Sequence, residues 1–371
     1  MFGSSFGNML KITTWGESHG KGLGVIVDGC PAGLPLAEED IQLYLDRRKP
    51  GQSRYTTKRG ESDTVEILSG VFDGKTTGTP ISLIVCNKDQ HSADYDEIAQ
   101  YYRPGHADLN YDTKYGFRDY RGGGRSSGRE TIGRVAAGAI ACKILKQLGI
   151  TLSAYTLSIG PISADKNNFD ENAITQNPLY MPDMNAAEEA AAYLEKCMRD
   201  RNSSGGVIEC VIHGMPPGVG DPVFEKLNAN LGKAVLSIGS VKGFEIGDGF
   251  SVSTATGLSN NDSYQADGSG NIKKDTNHSG GITGGISDGC DIIFRAAIKP
   301  TPSIAAAQQT INRKKENISI NVKGRHDPVI VPRAVVVVES MAALAITDML
   351  FADMTSQMED VVNFFKNKTL G

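Results

Sequence analysis

Glycine is the residue that most constrains this chain, because 43 of its 371 residues are glycine. That share, about 12%, exceeds the roughly 7% of average proteins. The glycines follow no short repeat, so they indicate many tight turns and places where the backbone closely approaches a ligand. Hydrophobic residues make up 39% of the chain and charged residues 22%, which excludes a disordered polymer. We therefore expect a globular protein rich in ligand-binding loops.

The charge is unevenly distributed along the chain. The formal net charge of −5 argues against a nucleic-acid-binding protein, since such domains are usually basic. Six Lys or Arg residues nevertheless lie between Arg47 and Arg59, and five Arg with only two acidic residues lie between Arg118 and Arg134. Basic loops on an acidic protein are suited to holding a small anion. The charge pattern therefore predicts a small anionic ligand.

No segment of the sequence indicates export, membrane insertion or a metal site. The N-terminal residues lack the basic and apolar regions of a signal peptide. The most apolar stretch, 334–351, is interrupted by Glu339 and Asp348, which are costly to place in a bilayer. The cysteines are far apart and form no CxxC pair. We expect a cytoplasmic protein with no membrane partner and no bound metal.

Apolar periodicity predicts several helices and a β-hairpin. The clearest helix covers residues 130–147, where apolar side chains recur at helical spacing. Further helices are expected at 37–48, at 186–199 with Asn185 and Glu188 as a capping pair, and at 340–354. Residues 65–72 and 80–85 are predicted to be two strands joined by a polar turn. Residues 86–129 show almost no periodicity, and a loop of that length in a compact protein is usually functional.

One sequence pattern occurs twice. Residues 27–34 (VDGCPAGL) resemble residues 212–219 (IHGMPPGV), 185 positions later, and each copy follows an apolar run. A shared G-x-P-x-G turn also arises by chance, so the pattern alone leaves both explanations open. If the repeat is real, the chain is one domain, 1–371, built from two halves, about 1–185 and 186–371. Because predicted hairpins outnumber β-α-β crossovers, we expect α+β halves with antiparallel sheets.

Two histidines lie in glycine-containing loops. His19 belongs to the segment GESHG at 16–20, and His106 follows a Pro-Gly turn in the segment RPGHAD at 103–108. Histidine is the side chain best suited to proton transfer near neutral pH. Taken singly, a turn histidine that hydrogen-bonds to backbone is the more common case. Both are therefore candidates for acid–base chemistry only in combination with the neighbouring loops.

The segment RGGGRSSGRET at 121–131 leads directly into the clearest predicted helix. Its glycines let the backbone curve around a ligand, while Ser and Arg side chains and the helix N-terminus offer hydrogen-bond donors to an anion. The segment has neither the P-loop pattern nor the Rossmann fingerprint. A flexible RGG tract for RNA is the alternative, and it is disfavoured because no further RGG follows.

The remaining loops supply further cations, backbone donors and a carboxylate. Arg48 and Arg54 lie on either side of a Pro-Gly pair, where they can clamp a phosphate or a carboxylate. The other segments of this kind are HSGGITGG at 278–285, KPTPS at 299–303 and GRHDP at 324–328. Together the arginines, histidines and the one aspartate predict a polyanionic ligand and acid–base chemistry.

In order and spacing, these loops resemble the signature regions of chorismate synthases. The resemblance rests on the segments 16–20, 46–51, 103–108, 121–134, 241–250, 299–301 and 324–339. It extends from about Phe6 to about Leu350. It implies an α+β fold in which antiparallel sheets and helices form a layered sandwich with internal pseudo-twofold symmetry and long functional loops. It also implies assembly as a homotetramer.

The resemblance further implies a lyase that converts 5-enolpyruvylshikimate 3-phosphate to chorismate by anti 1,4-elimination of phosphate and a ring proton. The family requires reduced FMN yet shows no net redox change. An electron-rich flavin suits this reaction, because the C–O bond cannot easily break in concert with proton loss. The sequence leaves open whether NADPH supplies the reducing equivalents. An ordinary flavin oxidoreductase that takes electrons from NADPH is the competing hypothesis.

Roles for individual residues follow from the same resemblance. His19 would protonate or hydrogen-bond the reduced flavin, His106 would donate a proton to the departing phosphate, and Asp327 would help the flavin N5 accept the ring proton. The residues expected to bind FMN are Arg125, Ser126, Ser127, Gly239, Ser240, Gly284, Lys299, Pro300, Thr301, Pro302, Ser303 and Arg325. The residues expected to bind the acidic groups of the substrate are Arg48, Arg54, Arg129 and Arg134, of which the first two are also linked to NADPH. Some members carry a polar residue in place of Pro302, which has no N–H to donate.

Overall fold

The computed structural model of the chain describes residues 3–56, 62–87, 98–266, 268–270, 272–321 and 327–368. The α-helices are α1 (Glu38–Arg48), α2 (Asp108–Tyr115), α3 (Thr131–Gln147), α4 (Ala173–Gln176), α5 (Met184–Arg199), α6 (Leu227–Leu236), α7 (Gly257–Asn260), α8 (Val331–Asp353) and α9 (Met358–Lys366). The strands of the first half of the chain are β1 (Ser5–Phe6), β2 (Lys11–Gly16), β3 (Gly22–Asp28), β4 (Val65–Ser69), β5 (Val71–Phe72), β6 (Lys75–Thr76) and β7 (Ile81–Cys86). Those that follow are β8 (Thr151–Ile159), β9 (Ile162–Ser163), β10 (Gly206–His213), β11 (Val241–Ile246), β12 (Tyr264–Ala266), β13 (Ile272–Lys274), β14 (Ile282–Thr283), β15 (Ile286–Ser287), β16 (Ile292–Ile298), β17 (Ala307–Ile311) and β18 (Asn317–Asn321).

Two five-stranded sheets organise the fold. The first sheet has the order β1-β2-β3-β7-β4, and the second has the order β11-β16-β10-β8-β9. Neighbouring strands pair antiparallel in both sheets. In β7 and β16 buried residues alternate with less buried ones, so each strand turns one face toward the core. The α+β class predicted from the sequence is confirmed, and the predicted hairpin corresponds to the pairing of β4 with β7.

Helices α3 and α8 pack against each other and form the centre of the core. Helix α3 also contacts β2, β3 and β7 of the first sheet, whereas α8 contacts β8 and β10 of the second. The two helices approach closely at Gly138, where a Cβ atom would lie 2.2 Å from the Cβ atom of Ser340. Glycine at this position therefore allows a close helix crossing that any larger side chain would prevent.

The structure corrects two predicted helix starts. Helix α8 begins at Val331, nine positions before the predicted start. Its residues are buried on all sides, so the sequence shows no amphipathic period from which the true start could be predicted. Helix α5 is capped by Asp183, whose side chain accepts hydrogen bonds from the amides of Asn185 and Ala186. The predicted capping pair Asn185 and Glu188 is thus wrong. Helix α2 lies within the segment 86–129 that was expected to be irregular.

Helix α8 is also long and apolar enough to cross a membrane. Most of its apolar window, 83%, is buried inside the protein. Its surroundings are α3, α6, β8 and β10. In this fold α8 therefore serves as a core helix.

The two G-x-P-x-G turns have the same hydrogen bonds. After β3, the hydroxyl of Thr76 donates to the carbonyl of Pro31 at 2.6 Å. The same hydroxyl accepts at 3.0 Å from the amide of Leu34, three positions after Pro31. After β10, the hydroxyl of Ser287 donates to the carbonyl of Pro216 at 2.6 Å. It accepts at 2.9 Å from the amide of Val219, again three positions after the proline. Each turn is thus closed by one hydroxyl residue at the end of a short hairpin, β5–β6 or β14–β15.

Candidate active site

The candidate site begins in the turn between β2 and β3, which carries His19. Asn87, just after β7, donates from its side-chain amide to the carbonyls of Glu17 at 3.1 Å and Gly20 at 2.8 Å. These bonds hold the turn against the neighbouring strand. The Nδ1 atom of His19 lies 3.1 Å from the Oγ atom of Ser18. His19 is therefore placed by its own turn and by Asn87.

The glycine- and arginine-rich segment 121–130 packs against this turn. An added Cβ atom at Gly122 would lie 2.4 Å from Cε1 of His19, so the backbone here touches the imidazole ring directly. Arg125 donates to the carbonyl of Gly16 at 3.2 Å and to Oγ1 of Thr14 at 2.7 Å. The predicted anion-binding segment is thus ordered, and its first arginine after the glycines is anchored to β2.

The hydroxyl residues after Arg125 shape the remainder of the segment. Ser126 donates from its hydroxyl to the carbonyl of Gly123 at 2.7 Å. Ser127 caps a short 3₁₀ turn, because its Oγ atom accepts from the amide of Arg129 at 3.3 Å. These contacts curl the backbone immediately before α3 begins. The segment therefore presents a helix N-terminus, which favours negative charge.

Two arginines predicted to bind substrate share one carboxylate. Arg48 is only 1% exposed and forms an ion pair with Asp63. Arg129 forms an ion pair with the other oxygen of the same carboxylate, Nη1 to Oδ1, at 3.2 Å. Arg48 also donates to the carbonyl of Gly128 at 3.3 Å. The structure therefore brings Arg48 and Arg129 together, although they lie 81 positions apart in the sequence.

Arg48 and Arg129 are thus far apart in the sequence but neighbours in the fold, since both reach Asp63. The Nε atom of Arg48 is buried and has no acceptor among the residues that the structure describes. A buried guanidinium with an unused donor is suited to receiving an oxygen of an anionic ligand.

Arg134 connects α3 to the turn before β11. Its guanidinium pairs with Glu130 at 2.8 Å and donates to the Oγ atom of Ser237 at 2.6 Å. The predicted flavin residues Gly239 and Ser240 follow in that turn. The amide of Lys299 donates to the carbonyl of Ser240 at 2.9 Å. Arg134 therefore connects the segment before α3 to the turn before β11, and that turn is hydrogen-bonded to Lys299.

The loop of His106 packs against the segment 299–303 of the second half. The Nε2 atom of His106 lies 2.7 Å from the Oγ atom of Ser303. Lys299 donates from Nζ to the carbonyl of Gly105 at 2.9 Å. Burial lowers the pKa of Lys299, and the neighbouring Lys242 lowers it further. Two segments predicted separately from the sequence are therefore in direct contact.

Asp108 closes the His106 loop. Its carboxylate pairs with Arg103 at 2.7 Å and with Arg118 at 2.8 Å. Arg103 also lies 3.5 Å from the carbonyl of Gly122, which connects this loop to the segment beside His19. Burial by itself raises the pKa of Asp108, but the hydrogen bonds and charge of Arg103, with the charge of Arg118, lower that pKa to about 2.

The depressed pKa of Asp108 predicts an acid-sensitive loop. Because the pKa is lower in the folded state than in the unfolded chain, the ion pair stabilises the fold above about pH 4, and this stabilisation is lost as the pH falls toward about 2. Asp108→Asn should lower the free energy of unfolding at pH 7 by about 3 kcal/mol. Denaturant unfolding of both proteins at several pH values measures this difference. A variant as stable as the parent at pH 7 would show that the ion pairs of Asp108 do not stabilise the fold.

Asp327 lies at the start of the segment that leads into α8. Its carboxylate pairs with Arg333 at 2.7 Å, and Arg333 also donates from Nε to the carbonyl of Arg48 at 3.1 Å. Asp327 is thereby connected to the arginine pair around Asp63. Arg325, predicted to bind FMN, lies outside the described residues.

Two predicted site residues lie apart from these contacts. Arg54 is exposed and pairs with Glu195 of α5 at 2.7 Å, whereas the guanidinium of Arg48 faces Asp63, so the two do not form a clamp in this structure. Gly284 lies in the turn between β14 and β15, before β16 begins, whereas Lys299 follows the end of that strand. A seven-residue strand separates the two, about 20 Å at 3.3 Å per residue.

The contacts define a loop cluster formed by residues 16–22, 103–108, 121–130 and 299–303. The segment 121–130 contacts both 16–22 and 103–108, and 103–108 contacts 299–303. The arginine pair around Asp63 adjoins the cluster through Arg129. Cations, two histidines and a carboxylate gathered on loops around an α+β core are typical of an enzyme that acts on a small molecule.

Comparisons with known proteins identify the family. The sequence profile of the family described as chorismate synthase matches residues 10–351. The chain is 66% identical over 367 residues to the chorismate synthase of Agathobacter rectalis, covering 99% of this chain and 100% of that protein. It is 54% identical over 354 residues to the chorismate synthase of Thermosynechococcus vestitus, covering 95% and 98%. A crystal structure of a chorismate synthase matches the fold with a TM-score of 0.77, 33% identity and 98% of each chain covered.

The chain belongs to the chorismate synthase family. The resemblance stated from the sequence is confirmed, and the chain is a chorismate-forming lyase that acts on a small-molecule substrate.

Sequence reasoning missed several residues that hold the site together. Asp63 and Asn87 belong to no glycine-rich motif and follow strand-like or charged stretches. Glu130 is one of only two acidic residues in a basic segment, yet it accepts from Thr14 at 3.0 Å and pairs with Arg134. A buried carboxylate between arginines has no spacing rule along the chain, so its partners become visible only in the fold.

Proposed function

We propose that the chain converts 5-enolpyruvylshikimate 3-phosphate to chorismate and phosphate by anti 1,4-elimination, and that it requires reduced FMN without net redox change. The observation that carries this proposal is the convergence of Arg48 and Arg129 with the loops of His19 and His106. The proposed substrate bears a phosphate and two carboxylates. A set of fixed guanidinium groups stabilises such a ligand and the charge that develops as phosphate departs.

The residues present fit a phosphate-bearing flavin. The Oγ1 atom of Thr301 is buried and has no partner among the described residues. An added Cβ atom at Gly239 or Gly124 would have no neighbour within 4 Å, so backbone is open to a ligand at both positions. The residues that would hold FMN are Arg125, Ser126, Ser127, Gly239, Ser240, Lys299, Pro300, Thr301, Pro302, Ser303 and Arg325, whereas Gly284 lies apart from them at the other end of β16. When bound, reduced FMN supplies electron density while the allylic C–O bond breaks.

His106 is the proposed general acid. It would donate a proton to an oxygen of the departing phosphate, because a less charged leaving group lowers the barrier. The short distance between Nε2 of His106 and Oγ of Ser303 supports this role, since a hydroxyl partner fixes the ring orientation. Lys299, which holds the carbonyl of Gly105, keeps the loop in place.

His19 and Asp327 are proposed to serve the cofactor side of the site. His19 would hold a hydrogen bond or a proton at its ring, and its contact with Gly122 fixes where that ring lies. Asp327 would assist removal of the ring proton, and its ion pair with Arg333 orients the carboxylate. Arg129 and Arg134 would bind acidic groups of the substrate, as would Arg48, which is also a candidate for the phosphate of NADPH. Arg54, the other candidate for these anions, lies apart and pairs with Glu195.

An anaerobic assay tests the proposed function. The chain is mixed with 5-enolpyruvylshikimate 3-phosphate and photoreduced FMN, and chorismate and the flavin absorbance are followed together. We expect many turnovers with the flavin still reduced. Flavin oxidation in proportion to product would support the oxidoreductase alternative instead. A parallel sample with NADPH and oxidised FMN, without other reductant, shows whether the chain reduces its own flavin.

We also propose that the chain is one domain made of two related halves. The strand order β2-β3-β7-β4 of the first sheet has the counterpart β8-β10-β16-β11 in the second, and the two hydroxyl-closed turns occupy corresponding places. Helices α1 and α3 then correspond to α6 and α8. This correspondence moves the proposed boundary from about 185 to near residue 150, because α4 and α5 are an insertion between β9 and β10.

Assembly as a homotetramer in the cytoplasm completes the proposal. The first sheet carries large apolar side chains that are exposed in the single chain, among them Trp15, Ile26 and Leu68. Exposed apolar side chains on one sheet are typical of surfaces that contact another subunit. Light scattering of the purified protein measures the assembly directly.

A further inference from the structure

Asp63 occupies an unusual position between the two arginines. Its side chain is fully buried, and its two oxygens accept from different guanidinium groups, those of Arg48 and Arg129. The backbone of Asp63 has a φ of 46°, in the left-handed region that non-glycine residues rarely adopt. Such a conformation persists only where the surrounding contacts require it. The carboxylate is therefore held in place at a conformational cost.

Asn87 holds the other side of Arg129. Its Oδ1 atom accepts from Nε of Arg129 at 3.1 Å and from Nη2 at 2.7 Å. Its Nδ2 atom donates to the turn that carries His19, at the carbonyls of Glu17 and Gly20. One side chain thus sets the position of Arg129 relative to that turn. Asp63 and Asn87 together use all three nitrogens of the Arg129 guanidinium.

We propose, on the basis of the function proposed above, that Asp63 and Asn87 are positioning residues that fix the guanidinium groups of Arg48 and Arg129 relative to the His19 turn before the substrate binds. Two guanidinium groups near one another repel, and one carboxylate between them reduces that repulsion while leaving a net positive charge for an anion. Arginines held in advance lose less conformational freedom when the substrate arrives. Neither Asp63 nor Asn87 needs to touch the substrate for this role.

The main test is Asp63→Asn, which keeps the shape of the side chain and removes its charge. We expect the KM for 5-enolpyruvylshikimate 3-phosphate to rise at least about tenfold, with a smaller change in kcat and unchanged affinity for oxidised FMN. Asn87→Ala should also raise KM, and it should lower kcat because the His19 turn is released. Asp63→Glu, which retains the charge, should recover part of the loss in Asp63→Asn.

Glu209→Gln is the matched control. Glu209 is a buried carboxylate of β10 that pairs with Arg295 of β16 at 2.6 Å, and neither residue belongs to the loop cluster. This variant should lose thermal stability and keep the parent KM. A KM within twofold of the parent in folded Asp63→Asn, or an equal rise in Glu209→Gln, would overturn the inference. If Asp63→Asn does not fold, Asn87→Ala decides by the same KM criterion. Absence of turnover by the parent protein contradicts the proposed function itself, whereas an active parent with unaffected variants contradicts only the positioning role.

Discussion

Replacement of His106 by alanine is expected to lower kcat by about 10²-fold or more, the usual loss when a general acid is removed. The phosphate would then have to depart with its full negative charge. Binding of oxidised FMN should be nearly unchanged, because the backbone of the 299–303 segment stays in place. Steady-state kinetics with reduced FMN and the phosphorylated substrate measure the loss, and flavin fluorescence measures the binding.

His213→Ala provides a comparison for His106→Ala. The imidazole of His213 pairs with Asp291 at 2.9 Å at the end of β10, outside the loop cluster. Its removal should leave kcat within twofold of the parent. Ser303→Ala should have an intermediate effect, since it removes a hydrogen-bond partner of His106 and leaves the imidazole in place. An unchanged kcat in His106→Ala would remove His106 from the mechanism.

Gly122→Ala is expected to have the second largest effect, a loss of kcat/KM of about tenfold or more. The new methyl group would lie 2.4 Å from Cε1 of His19, closer than non-bonded atoms approach, so the ring or the loop must move. A displacement of about 1 Å at a catalytic group is enough for losses of this size. Kinetics with reduced FMN, together with thermal unfolding, separate a displaced ring from a destabilised fold.

Gly149→Ala controls for the backbone conformation of Gly122→Ala. Gly149 also has a positive φ, 77°, but an added Cβ atom there meets nothing within 4 Å. It follows the end of α3 that is remote from the loop cluster. Both variants should lose stability through backbone strain, and only Gly122→Ala should lose activity beyond that. Equal activity in the two variants would show that the contact with His19 is unimportant.

The sequence predicted those parts of the molecule that depend on local pattern. Helix α3 was visible because its apolar residues recur at helical spacing, and the segment 121–131 was visible because glycine, serine and arginine are concentrated there. The pairing of Arg54 with Glu195 and the burial of Arg48 were not predictable. The direction of a long side chain depends on which elements pack beside it, and no spacing rule encodes that choice. Asp63 was not predictable either, because its partners Arg48 and Arg129 are distant from it in the sequence.

The crossing of α3 and α8 at Gly138 has a consequence for how variation in this protein is interpreted. The segment with Arg125 and Arg129 leads into α3, and Asp327 lies four residues before α8, so parts of the same site lie directly before the first turns of the two helices. Gly138 lies seven residues into α3, about 10 Å from its start at 1.5 Å per residue. A bulkier residue there would wedge the two helices apart and pull Asp327 away from the arginines. Loss of turnover would then trace to the interior of the molecule, to a residue that no ligand ever meets.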